Sequence, residues 1–514
     1  MPFGLLFSLW GCKDPKPTDT SQEKIEESAP VFSADRQISL TQTSSNWLQP
    51  DDNIINTYGG AGVSFIDVNH DGHTDIVLAR RDGIHIYTND TVGGLIQTET
   101  IELDTVMPVV VSGINPIDSS KSEFYVATVF GLDQWLVDDK PPQPIEGTPN
   151  FSGGGSFYDL SNDQQLEIAV AGYVNDNSPA FNQGFNSNNP IDGDTNVLLS
   201  TNADSPPSLS TDWQLPQLPL EPYTFSLLWL PFNNDNDWDL LAINDFGMLS
   251  LPHTLFWNDG DALQWEEEHL GLAVPMFGMG VAPADVNADQ IPDLLITNIG
   301  NPVVLLSDSG GWYDVATSWG LGLQSDQSTC WGADWHDVNN DGHLDVWVGC
   351  GPLPVHEDDT TPNYPDQPDS LFIWTEEGYV DVAKDWGVSG ADNTRAGGFV
   401  DLNNDGCWEL VRVPLDGPTQ IFTGSCNPTN NWIDISLYQN GLPAIGSTVQ
   451  VVTEETTRTE WIVGGGTSFA TFQSFTAHFG LGSSNKVDIV VTWPDGSQDE
   501  YEAVETNQHL SLQR

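Results

Sequence analysis

Between about residues 55 and 430 the hydrophobic and polar positions repeat one short pattern. A strand of small and apolar residues leads in, as in Gly60-Ala61-Gly62-Val63-Ser64-Phe65, Gly278-Met279-Gly280-Val281-Ala282 and Trp331-Gly332-Ala333-Asp334-Trp335. A short acidic loop follows, then an apolar run such as Ile76-Val77-Leu78-Ala79, Leu240-Leu241-Ala242-Ile243 or Val346-Trp347-Val348-Gly349. A third strand comes next, Gly83-Ile84-His85-Ile86-Tyr87 or Ser370-Leu371-Phe372-Ile373-Trp374, and several units close on an aromatic-plus-glycine phrase such as Gly378-Tyr379-Val380-Asp381-Val382. Short apolar runs bounded by turn residues read as strands. Four strands per unit, in seven units of roughly 45–70 residues, predict an all-β fold, a seven-bladed β-propeller whose closure removes exposed strand edges.

The acidic loops read D-x-N-x-D-G-x-x-D. Full or nearly full copies start at Asp67, Asp285, Asp337 and Asp401; the copy at Pro231 lacks the first acid, and the one at Asp159 is degenerate. A further unit, with its turn near Asn115, has the strand layout without the acids. Oxygen side chains at positions 1, 3, 5 and 9, with the carbonyl of position 7, can turn toward one hard cation, which favours Ca²⁺ over zinc or copper. The candidate ligands are Asp67, Asn69, Asp71, His73 and Asp75; Asn233, Asp235, Asp237 and Asp239; Asp285, Asn287, Asp289, Ile291 and Asp293; Asp337, Asn339, Asp341, His343 and Asp345; and Asp401, Asn403, Asp405, Cys407 and Glu409. His73, Ile291, His343 and Cys407 would serve through the main-chain carbonyl, leaving the imidazoles incidental. The competing role of these residues is Asx-turn capping of their own backbone. Several such Ca²⁺ ions would be structural, because a catalytic site is seldom copied around a ring.

Charge sharpens this picture. With 14 Lys and Arg against 74 Asp and Glu, the net charge is −60. That balance would repel nucleic acid and anionic membranes, so both are poor partners, and calcium or cationic partners fit better. The loops cannot hold all of the acidity, so much of it is solvated surface, as a saline habitat would favour. The 19 Trp are expected to fill gaps between sheets rather than to cage a ligand. No apolar run reaches the roughly 18 residues needed to span a bilayer.

Cys330 and Cys350 flank the loop at Asp337 almost symmetrically, and Cys407 and Cys426 flank the hairpin signal Asp416-Gly417. Antiparallel strands would oppose each pair, predicting two disulfides and an oxidising compartment. At the N-terminus, Leu9-Trp10-Gly11-Cys12 resembles a bacterial lipobox, with Cys12 lipidated, although Trp10 stands where a small residue is usual. The expected organisation is a truncated lipoprotein signal (1–12), a disordered Pro/Thr/Ser/Glu-rich tether (13–35), the propeller (36–428) and a small sandwich-like β domain (429–514). Two long polar loops, about 175–195 and 352–369, the second with His356-Glu357-Asp358-Asp359, are expected to be functional or disordered.

The loops followed by apolar strands resemble FG-GAP/VCBS repeats of integrin α-type propellers. The tail, with Gly464-Gly465-Gly466-Thr467-Ser468, Ala477-His478-Phe479-Gly480-Leu481-Gly482 and Trp493-Pro494-Asp495-Gly496, resembles the ASPIC/UnbV domain. Propeller then ASPIC/UnbV is the order of the cartilage acidic protein 1-like family. Lack of the EGF-like module of animal members suits a bacterial one. The resemblance implies a calcium-binding protein, extracellular or displayed on the cell envelope.

No H-E-x-x-H, G-x-S-x-G, P-loop or C-x-x-C occurs, so no catalysis is assigned. The favoured expectation is a binding or adhesion module for an extracellular glycan or protein, engaged through the two long loops. The alternative is a propeller enzyme, a lyase or hydrolase acting on extracellular polysaccharide, with an axial pocket of convergent charged side chains.

Overall fold

The computed structural model describes the chain except for residues 1–32, 39–58, 91–92, 104–106, 115–122, 130, 138–140, 176–192, 203–204, 234, 236, 266–269, 309, 324, 326, 354–366, 391, 416, 425 and 455. The lipobox with Cys12, the tether up to residue 32, the turn at 115–118 and most of both long polar loops lie outside the described residues.

The fold is all-β, built from small, mostly antiparallel sheets. Among the described residues, seven sheets precede Asn431, each of four strands in chain order apart from the two exceptions below. The first holds Ala61–Ile66, Asp75–Arg80, Gly83–Asn89 and Leu95–Ile101. The others are led by Met107–Ile114, Ser152–Tyr158, Tyr223–Leu230, Val281–Ala284, Cys330–His336 and Thr394–Val400. The seventh is completed from the far end of the chain, by Ser33–Ile38 running antiparallel to Thr419–Thr423. The strand therefore starts inside the stretch expected to be tether. The acid-free unit is the second sheet, whose first two strands pair Val111 with Val126.

The small residues of the leading strands have a steric cause. A Cβ on Gly62 would meet the carbonyl oxygen of Val109, and one on Gly280 that of Trp331, so neighbouring leading strands approach backbone to backbone. The second strands are apolar because both of their faces are covered; Ile76, Val77, Leu240, Val346 and Val348 are fully buried. The indoles of Trp229, Trp331 and Trp347 are likewise buried, filling space within and between sheets as the sequence suggests.

After Asn431 come two further four-stranded sheets. In one, Asn431–Gln439 pairs antiparallel with Thr476–Gly482 and parallel with Gln508–Gln513. In the other, Thr448–Val452 lies between Thr457–Trp461 and Lys486–Thr492. Ile433, Ile435, Val449, Phe479, Ile489 and Trp493 form their shared core.

The segment Gly464 to Phe472 leaves this domain and runs among the leading strands. Phe157 N–H donates to Gly464 O (2.9 Å), Ser468 N–H to Val281 O (2.6 Å), Ala333 N–H to Ser468 Oγ (2.9 Å), Val63 N–H to Ala470 O (3.0 Å) and Gly397 N–H to Thr471 Oγ1 (3.1 Å). Thr471–Phe472 adds a parallel strand beside Val63 and Ser64. The Phe469 ring lies 5.3 Å from Phe225 and 5.2 Å from Trp331. One nine-residue stretch of the tail thus touches the leading strands of six sheets.

Candidate functional site: acidic loops beneath the C-terminal domain

The acidic loops share one conformation. In the copy starting at Asp67, Oδ1 of Asp67 accepts the Asp71 N–H (3.1 Å) and Oδ2 the Gly72 N–H (2.9 Å). Asn69 Oδ1 also accepts from Asp71, and Asp71 Oδ1 accepts the His73 N–H. The copies at Asp337 and Asp401 repeat these bonds. Position 4 is left-handed in the five loops where it is described, with φ between 54° and 60° at His70, Asn162, Ala288, Asn340 and Asn404. Position 6 is Gly where the motif is complete, yet Gln164 and Gln290 hold the same geometry at φ 70°. The loop is therefore built by Asx chemistry, and the degenerate copies retain its shape.

The ninth residue has a task of its own. Asp75 accepts the N–H of Val68 (2.9 Å) inside the loop and of Asn89 (2.7 Å) on the third strand. Asp293 and Asp345 do the same with Val286 and Ser307, and with Val338 and Trp374. Burial pushes Asp75 and Asp293 up to about 6 and Asp239 up to about 8, and the other acids of each loop add to it. Asp345 is driven well above the carboxylate range by burial and then by Asp337. These acids are fully buried.

All-oxygen donors around the buried ninth-position carboxylates Asp75, Asp239, Asp293 and Asp345 fit a hard divalent cation. One oxygen of Asp239 is buried with no hydrogen-bond partner among the described residues. The carboxylates of positions 1, 5 and 9 do not, in any described loop, converge as a trio within 4.8 Å; they stay engaged with the backbone. The imidazoles at position 7 have other occupations: His73 Nδ1 lies 2.9 Å from Asn404 Nδ2, and His343 packs by Trp374.

Two of the loops are covered by the C-terminal domain, through His478, Gly480 and Gly482 of the family phrase and through Asn430, Trp432, Asp434 and His509, to which the sequence reading gave no such role. His478 Nε2 sits 2.8 Å from Asn340 Oδ1, Gly482 N–H donates to Asn340 O (2.9 Å), and Asn430 Nδ2 donates to Asn339 O (2.9 Å). Gly480 lies against the Asp337 carboxylate, and Gly406 against the Trp432 ring, so closely that neither leaves room for a Cβ. His478 Nδ1 is 2.6 Å from Asp434 Oδ1; Asp434 Oδ2 is 3.2 Å from His509 Nδ1; and His509 Nε2 is 3.5 Å from Asp401 Oδ2. Against its burial, Asp434, then Asp337 and Glu460, raise the His478 imidazole, and His509 holds Asp401 below the usual range despite burial. Asp401, Asp434 and His509 are the one trio of potential ligands within 4.8 Å among the described residues. With a carboxylate at each nitrogen, the imidazole reads as an ion-paired bridge between loop and tail.

Both disulfides are formed: Cys330 to Cys350, paired across adjacent strands, and Cys407 to Cys426. Cys407 thus carries its bond at the end of a loop whose carbonyl it was assigned to lend.

The comparisons agree with this architecture. Residues 285–348 match the model of the FG-GAP-like repeat, and residues 438–514 that of ASPIC and UnbV. The chain thus carries an FG-GAP-like repeat followed by an ASPIC/UnbV domain. It is similar to cartilage acidic protein 1 of Xenopus tropicalis, 27% identical over 281 residues, which are 52% of this chain and 41% of that protein. Mouse cartilage acidic protein 1 is 31% identical over 105 residues, 20% of this chain and 16% of the relative. The matches thus span less than half the length of these curated relatives. Among solved structures, BBS1N in complex with ARL6DN aligns over 77% of this chain and 96% of that one, with 10% identity and a TM-score of 0.44.

Proposed function

We propose that the chain is a calcium-stabilised binding module, secreted or displayed on the cell envelope, and that its seven four-stranded sheets are blades of a closed propeller. Closure is supported by the Ser33–Ile38 strand on the seventh sheet and by packing of Ala61–Ile66 against Thr394–Val400. The two disulfides suit an extracellular or secreted setting. A lipid on Cys12 would tether the module to a membrane, leaving the propeller to meet an extracellular glycan or protein.

The observation that carries the calcium reading is the shared loop conformation, repeated around the buried ninth-position carboxylates Asp75, Asp239, Asp293 and Asp345, which burial holds above the usual carboxylate range. Ca²⁺ at each loop would neutralise that charge and fix the turn between two strands. Equilibrium dialysis of the full chain at neutral pH is the measurement: about four ions or more per chain are expected, and uptake below one ion would overturn the reading.

The second reading, a propeller enzyme acting on polysaccharide, called for an axial pocket. The Gly464–Phe472 segment lies among the leading strands where that pocket would be, which favours the binding reading.

A further inference from the structure

Beside the first acids of two loops, Asp285 and Asp337, a cavity of about 140 Å³ lies between the leading strands of the fifth and sixth sheets and the tail strands that end at Trp461 and begin at Thr476. It exists only where the two parts of the chain meet. Its wall holds buried polar atoms with no partner among the described residues: Nε2 of His336, Oγ1 of Thr467 and the indole Nε1 of Trp408. His336 and Thr467 are each 5% exposed. An unmet buried polar atom is costly, and such atoms point to a missing hydrogen-bond partner.

The chemistry of the wall is two-sided. The Trp408 N–H can only donate, and the Thr467 hydroxyl donates or accepts. Asp334 and Glu460, half-buried on the same wall, each spend one oxygen on a backbone N–H, of Phe399 (2.9 Å) and His478 (3.3 Å), and keep acceptor capacity. An anionic ligand would meet Asp334, Asp337 and Glu460 against a single lining arginine, Arg458. A purely cationic one would leave the indole N–H and the hydroxyl unmet. Hydroxyl groups answer both, since each donates and accepts. Trp335, Trp408 and Trp461 supply apolar wall for the C–H faces of a ring. The volume is below the roughly 300–1,000 Å³ of pockets for drug-sized ligands, so one ring fits and a longer chain would have to extend outward.

We propose that this interdomain cavity binds a single polyhydroxylated ring, a sugar residue taken either free or as the end of a glycan. The proposal rests on the binding-module reading but moves the site from the long loops to the seam between propeller and tail.

Saturation-transfer NMR on the full, calcium-loaded chain tests it, with the methyl pyranosides of glucose, galactose, mannose, fucose and N-acetylglucosamine as probes and tetramethylammonium and sulfate as rivals. Transfer to at least one glycoside is expected, weakened about tenfold in Glu460→Gln and in Thr467→Val. Immobilised oligosaccharides ending in the same sugar distinguish a glycan terminus, which they would capture, from a free sugar, which they would not; either outcome supports the cavity. No transfer to any glycoside, binding of a rival probe alone, or transfer unchanged in whichever of the two variants folds would overturn it. Glycan capture that ignores both substitutions would sink the cavity while leaving the binding-module reading intact.

Discussion

His478 and Asn340 meet across 138 residues of chain, with Nε2 of the imidazole 2.8 Å from the side-chain oxygen of the amide. Asn340 is the left-handed residue of an acidic loop, and His478 opens the H-F-G-L-G phrase of the tail. The contact joins the two recognisable signatures of the chain at one point. Gly480, two residues on, faces the Asp337 carboxylate with no room for a side chain. Gly480→Ala is therefore expected to push the tail off the loop and cost about 1–3 kcal/mol, as overpacking does. Urea unfolding gives the cost, and limited proteolysis should cut more readily near residue 430. Unchanged values in both would show that the tail does not depend on this contact.

Chelation addresses the loops directly. If Ca²⁺ occupies them, each site at a hundredfold excess over its dissociation constant adds about 2.7 kcal/mol to the folded state. EDTA should lower the melting temperature by many degrees, and Ca²⁺ should restore it where Mg²⁺ at equal concentration restores less. A melting curve indifferent to chelation refutes structural calcium.

The loops and their strands were legible in the sequence because everything that builds them is local. Asp67 caps N–H groups four and five residues on, and Asp75 reaches the next strands of its own sheet. The disulfides were legible for the same reason, lying across single hairpins. What could not be read was long-range. Gly464-Gly465-Gly466-Thr467-Ser468 stood out as a family phrase, but its use depends on Phe157, Leu227, Val281 and Ala333. The cavity wall draws His336, Trp408, Glu460 and Thr467 from separate stretches with no common spacing.

The Cys330–Cys350 bridge closes a sequence separation of 20 residues around one acidic loop. Replacing both with Ser should cost about 3 kcal/mol from loop-closure entropy. Intact mass with and without reductant should differ by two hydrogens per bridge, four in all for the two bridges. Four free thiols in the native protein would remove both from the account.

Asp133 and Asp245 set a pH dependence that does not involve the loops. Asp133 accepts from the Tyr125 and Ser152 hydroxyls, and Asp245 from the Tyr173 hydroxyl (2.7 Å). Burial nevertheless pushes both up to about 7. In the unfolded chain both release their protons near pH 4, while the folded chain keeps them to about pH 7. The folded state binds more protons across that window, so the stability they contribute is present below pH 4 and lost as pH rises toward 7, on the order of a few kcal/mol. Asp245→Asn, neutral throughout, should flatten its share. The comparison is the difference in urea midpoint between wild type and variant from pH 4 to 8 at fixed Ca²⁺. A difference that shrinks with rising pH has the wrong sign.

Phe469 tests whether the tail segment is a structural axis or a passive filler. Its ring is buried between Phe225 and Trp331, on the leading strands of the fourth and sixth sheets, and its neighbours Ser468 and Ala470 bond the fifth, sixth and first. Truncating a buried Phe typically costs about 3–5 kcal/mol. Here the loss falls on the contact that ties the tail to the leading strands, so it should change cooperativity as well as stability. Phe469→Ala is expected to split a single calorimetric transition into two, with the tail melting first, whereas Phe479→Ala in the tail's own core should weaken the tail without opening the leading strands. A single transition lowered equally by both substitutions would mean that the segment fills space without coupling the two parts of the chain.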